Sequence, residues 1–261
     1  EKAFAESTDK TVVLAKDIVY EGDLTLGVLN DFDLNGFDLT VKGDLAIKDE
    51  NADGDFVIGK VDENSDVGTV NAESITLTAP KAHVEWSADV RITNGFSVST
   101  SRSTFVFDGK FLTEEGETAT EADITLVGGS AVIRSSAANV TYNIIISEGL
   151  SDGRVENATD AENTVVNIIT SDNVTVAGKV NVTGESASVT VTAESEAEVS
   201  VSGTVSTVSG ANDSKVTVSA GATVSGDITA GSVVNNGTVN GNVNAEDYSG
   251  SGNVGGDVSS K

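Results

Sequence analysis

The sequence predicts an all-β solenoid, a parallel β-helix wound from short strands, and three observations predict it. From Val174 onward the chain runs through closely spaced Val-x-Val units (VTVAG, KVNVTG, SVTVTA, EVSVSG, KVTVSAG) punctuated by small turn residues. Alternation with period two is the mark of a strand. These units also recur: taking every third pair, Val174 maps to Val199 and Val224, Val180 to Val205, and Val189 to Val216, a return of 25 to 27 residues. Finally, the chain has one Pro and 27 Gly, is rich in Ser and Thr, and lacks helix-type periodicity apart from a short turn over 2–6. Short strands at a fixed return, with no helix between them, read as three strands per coil. Each coil then adds one strand to each of three sheets, spaced about 4.8 Å apart. The chain would hold about ten coils, a rod on the order of 50 Å long.

The amino-terminal half follows the same logic with bulkier residues. Apolar alternation places strands at 12–14, 18–20, 24–26, 32–34, 39–41, 45–47, 56–58, 75–77, 84–86, 90–92, 96–98 and 104–107. All eight Phe lie at or before Phe111, the one Trp is Trp86, and beyond Phe111 the aromatic residues are Tyr142 and Tyr248. Phe, Leu and Trp fill a wide coil, whereas Val and Ala fill a narrow one. The expectation is one domain over 1–261, wider and Phe-rich over 11–112 and narrower and Val-rich over 124–258. The polar stretches 113–123 (TEEGETATEAD) and 147–162 (SEGLSDGRVENATDAE) read as excursion loops.

Charge narrows the partners. The formal net charge is −26 and Lys plus Arg number 15, so nucleic acid and anionic membrane surfaces, which need clustered cations, are excluded. No apolar run approaches the roughly 20 residues of a membrane span. Cysteine is absent, which removes disulfides, thiolate metal sites and Cys nucleophiles. The lack of both Cys and Met suits an oxidising, exposed location, and Glu1 in place of an initiator Met reads as a processed start.

Two stretches carry a resemblance. The run 33–44, DLNGFDLTVKGD, resembles the opening coil of pectin-lyase-like right-handed β-helix proteins, with Phe37-Asp38 where His-Thr is frequent. The resemblance implies a right-handed β-helix; that fold hosts lyases, hydrolases, adhesins and inert stalks. The tail from Gly226-Asp227-Ile228 through Asn242-Val243 is similar to bactofilins, cytoskeletal polymers of short β-helix coils.

Two groups of side chains are candidates for chemistry. His83, Glu85, Asp89 and Arg91 form the densest acid–base constellation. Alternation turns Val84, Trp86 and Val90 inward and these four outward, as a shallow acid–base patch or as plain surface ion pairs. The second is Asp49-Glu50-Asn51-Ala52-Asp53-Gly54-Asp55, which matches the first half of a calcium loop. Asp49, Asn51, Asp53 and Asp55 would supply alternate oxygens to Ca²⁺, and Gly54 the tight turn. Position 12 is Lys60 where a Glu would close the shell, so Asp62 or Glu63 would have to complete it; the alternative is an acidic Asx turn. No Gly-x-Ser-x-Gly elbow activates a serine. Six Asn-x-Ser/Thr triplets begin at Asn139, Asn157, Asn173, Asn181, Asn212 and Asn236, as expected in a sequence so rich in these residues. Thr-x-Thr pairs at Thr76/Thr78 and Thr190/Thr192 do not recur in every coil.

The sequence therefore points to a non-catalytic extracellular β-helix, a structural or adhesive surface-layer, filament or cell-surface subunit. It would associate with copies of itself or other surface proteins, end to end, and with polysaccharide. The alternatives are a carbohydrate-binding or polysaccharide-lyase-like β-helix and a bactofilin-like polymer.

Overall fold

Every stretch in which small turn residues separate two or three alternating apolar positions becomes a strand. A computed structural model describes residues 11–61, 66–147 and 153–260. Among them there is no helix, the ladders between strands are parallel, and most strands pair with one that follows after an intervening strand or two, while Asp89–Phe107 also pairs directly with the strands before and after it. The chain divides into two compact units, Glu1–Thr141 with Thr159–Thr164, and Tyr142–Ala158 with Val165–Lys261. Each is a solenoid-like succession of ranks.

In the first unit, inward residues stack rank on rank. Phe32, Ile58, Trp86, Phe107 and Ile133 form one column. Leu39, Val70, Val90 and Phe111 form a second, and Leu45, Ile75, Phe96 and Ile124 a third. All thirteen are at most 5% exposed. At the centre Phe96 meets Trp86 edge-on at 4.9 Å and Phe105 at 5.6 Å, with Phe107 and Phe111 at 6.2 and 6.1 Å. Such edge-to-face contacts suit the ring quadrupoles. The Trp86 indole N–H has no hydrogen-bond partner inside this cluster.

Strand 90–92, 96–98 and 104–107, expected separately, run as one strand, Asp89–Phe107, with register shifts at the bends. The expected loop over 147–162 contains a strand, Gly153–Asn157, whose Val155 is fully buried. A single inward Val between Arg154 and Glu156 is too short an alternation to stand out among charges. The expected loop over 113–123 is shorter, since strand Glu121–Ile133 begins within it.

The second unit is lined with smaller residues. Its columns are Val174, Val191, Val208, Ile228 and Val243; Val180, Val199, Val216 and Val233; and Val205, Val224 and Val239. Each is at most 2% exposed. The predicted return of 25 residues is corrected here, because Val174 stacks on Val191 and Val180 on Val199. Hydrogen-bonded residues on adjacent ranks are 17 apart at Asn173 and Thr190, and 15 apart at Asp227 and Asn242. One side of each rank contributes a single core residue, as at Val205, Val224 and Val239, so counting Val pairs in threes joined parts of successive ranks.

Corners are closed by side chains that accept backbone N–H groups of the next rank, since a turn leaves those donors unpaired. Asp17 accepts Asp38 N–H and Asp38 accepts Thr69 N–H; Asp23 accepts Asp44 N–H and Asp31 accepts Val57 N–H. In the second unit Asp227 accepts Asn242 N–H at 2.6 Å and Asn242 accepts Asp257 N–H at 2.9 Å. Buried corners use hydroxyls: Ser135 donates to the Gly109 carbonyl at 2.6 Å while accepting Ala137 N–H. Gly59, at φ 124°, lies where a Cβ would overlap the Ala88 backbone, so only glycine fits that close approach.

Candidate functional site

The calcium-like loop becomes a turn held by its own first residue. Asp49 Oδ1 accepts the N–H groups of Asn51 and Ala52 at 3.0 and 2.9 Å, and its Oδ2 accepts Leu29 N–H from the rank below at 3.1 Å. Asp53 and Asp55 lie on strand Asp53–Gly59 and pair in register with Lys81 and His83. Among the described residues no group of three or more His, Cys, Asp or Glu side chains is placed to hold a metal ion. Asp62 and Glu63 lie outside the described residues.

The acid–base constellation is divided between two ladders. His83 and Glu85 sit on strand Lys81–Trp86, beside Asp55 and Val57. Asp89 and Arg91 sit past the corner at Ser87 and Ala88, beside Thr69 and Asn71. Each charged group there has a local partner. Arg91 donates to the Thr113 carbonyl at 2.9 Å and to Asn71 Oδ1 at 2.7 Å. Asp89 accepts Lys110 N–H at 3.0 Å, and burial raises its carboxyl above the ordinary 3.8. Glu85 pairs with Arg134 at 2.8 Å, and Arg134 reaches Asp108 at 3.4 Å. Burial, and after it the like charge of Glu85, raise the Asp108 carboxyl against the pull of Arg134. A guanidinium already shared between two carboxylates is a clamp across three ranks, poorly suited to abstracting a proton.

In the second unit Arg154 makes the corresponding clamp. Its Nε and one terminal nitrogen donate to both oxygens of Glu194 at 2.8 Å, and the other donates to Glu156 at 2.9 Å. The bidentate bond lowers the Glu194 carboxyl below the ordinary 4.5. The ranks that Arg134 and Arg154 tie together are not marked in the local sequence, since Glu85, Asp108 and Glu194 are all distant from them along the chain.

One further arrangement escaped the sequence reading. On the outer face of the second unit, Asn167 donates to Asn143 Oδ1 and Asn181 to Asn167 Oδ1, each at 3.0 Å. The row continues in register to Ser200 and Thr217. Beside it run Ile169, Thr183 and Ser202, with Thr183 and Ser202 hydroxyls 2.9 Å apart. Asn167, Ile169, Asn181, Thr183, Ser200, Ser202 and Ser219 line a shallow groove of about 410 Å³. The legible signal is the recurring Tyr-Asn-Ile-Ile, Val-Asn-Ile-Ile and Val-Asn-Val-Thr at Asn143, Asn167 and Asn181, where an outward Asn follows an inward apolar residue.

Compared with known protein families, curated proteins and solved structures, the chain matches none.

Proposed function

We propose that this chain is a non-catalytic structural or adhesive element of a cell surface, folded as a right-handed parallel β-helix with three-sided coils. The observation that carries the reading is where its reactive side chains go. Asp49, Asp89, Glu85, Asp108, Arg134, Arg154 and Glu194 all bind backbone donors or one another across ranks, so the acids and bases act as braces between coils. A scaffold that presents faces rather than a reactive centre is the function such bracing supports. The reading has two tests. Surface labelling of intact source cells should modify the protein, and its recovery from the cytoplasm alone would overturn the assignment. Incubation with soluble polysaccharides should release neither reducing ends nor unsaturated products; turnover abolished by Glu85→Gln or Asp108→Asn would make the Arg134 clamp an active site.

A further inference from the structure

We propose that the Asn/Ser/Thr groove of the second unit is a binding site for an uncharged, hydroxyl-rich polymer, a neutral polysaccharide lying across successive ranks. The inference rests on the adhesive reading above and names its ligand class. The argument is one of charge and repetition. The groove is lined by Asn167, Asn181, Thr183, Ser200, Ser202 and Ser219 with Ile169, and no acidic or basic residue enters the lining, in a chain that carries 41 acidic residues and a net charge of −26. An anionic polymer is repelled by that field, and a cation finds no carboxylate in the groove. A neutral polyol is opposed by neither.

The lining is also prepared for hydroxyl groups. The Asn143–Asn167–Asn181 bonds fix the amide planes, so Asn167 and Asn181 each keep a second N–H and a carbonyl lone pair for a ligand. The Thr183–Ser202 bond fixes two hydroxyls in the same way, and Ile169 offers an apolar patch to the C–H face of a sugar. The ranks repeat about every 4.8 Å, so an extended ligand meets an amide or a hydroxyl at each successive rank, from Asn167 and Asn181 to Ser200 and from Thr183 to Ser202, and weak contacts add along the strand. The volume, about 410 Å³, falls within the range of roughly 300–1,000 Å³ common for ligand sites.

Affinity electrophoresis of the 261-residue chain tests this, in native gels cast with hydroxyethylcellulose, glucomannan or mannan, or with polygalacturonate. At least one neutral polysaccharide should retard the protein and polygalacturonate should not. Asn181→Leu, which removes the Asn181–Asn167 bond and two ligand bonds, should weaken retardation about tenfold. Ser202→Glu, which places a carboxylate in the groove, should abolish it. Ser209→Leu, on another face, should leave it unchanged, with circular dichroism showing that all three variants fold. The proposal fails if no neutral polysaccharide retards the chain, if polygalacturonate retards it more strongly, or if Asn181→Leu and Ser202→Glu bind like wild type. A surface protein that binds none of them would overturn this inference alone, whereas a cytoplasmic protein that binds through the groove would overturn the surface assignment alone.

Discussion

Phe96→Ala is the sharpest perturbation of the first unit. Phe96 is 1% exposed and touches four aromatic rings with centroids between 4.9 and 6.2 Å. Truncating a buried Phe to Ala costs about 3–5 kcal/mol through lost transfer energy and an unfilled cavity. Each edge-to-face partner adds about 0.5–1.5 kcal/mol beyond area, but the rings share one cavity and their terms do not add. A loss of ~4 kcal/mol follows, a large fraction of the roughly 5–15 kcal/mol that holds a domain folded. Trp86, the only tryptophan, lies 4.9 Å from Phe96, so its fluorescence in urea reports the cluster directly. With a slope near ~2 kcal/mol per molar urea, the midpoint should fall by about 2 M. Phe96→Leu, which keeps most of the volume, should lose no more than about 1.5 kcal/mol. A loss below ~1 kcal/mol for Phe96→Ala would show that these rings are not the packed centre of the unit.

Other outcomes follow from the braces. Asp49→Ala should destabilise by about 1–3 kcal/mol through three orphaned N–H groups, equally in calcium and in chelator; a calcium-dependent rise in wild-type melting temperature that Asp49→Ala removes would return the loop to metal binding. Burial raises the Asp89 carboxyl above 3.8, so the folded state holds that proton more tightly and wild type loses stability as pH rises through the window above 3.8. Asp89→Asn should therefore be more stable than wild type at pH 7, with the difference vanishing below pH 3.8; unfolding titrations at both pH values decide it. Glu194 behaves oppositely: Arg154 lowers its carboxyl, so the stability it adds is present above 4.5 and lost as pH falls. A double-mutant cycle between Arg154→Met and Glu194→Gln should return only about 0.5–1 kcal/mol, because the side chains are 31% and 38% exposed, and zero coupling would reduce the clamp to a surface contact.

Period-two alternation of Leu, Phe, Ile and Val was enough to place most strands of the first unit, because sheet burial leaves that pattern in any chain. What alternation does not carry is the identity of a strand's neighbour. Val174 has Val191, Val199 and Val208 as equivalent-looking partners, and only the number of residues consumed at each corner selects Val191. The same limit hid the groove and the clamps. Asn143, Asn167 and Asn181 are 24 and 14 residues apart, an uneven spacing that no fixed period reveals. Arg154 finds Glu194 40 residues on. Conversely, Asp49, Asn51, Asp53 and Asp55 are spaced as in a calcium loop, but the strand starting at Asp53 draws two of them out of the turn.

The even 15-residue interval at the end of the second unit makes chain length there a quantised variable. Gly226-Asp227-Ile228, Gly241-Asn242-Val243 and Gly256-Asp257-Val258 occupy equivalent stations, so removing or duplicating one whole interval returns every inward valine and every corner acceptor to an equivalent neighbour. A deletion of one residue instead turns Val239 or Val243 outward and leaves its corner donor facing the wrong side chain. Insertions and deletions of fifteen residues are thus expected to be accommodated and those of intermediate length are not, so this part of the fold can lengthen or shorten only by whole ranks.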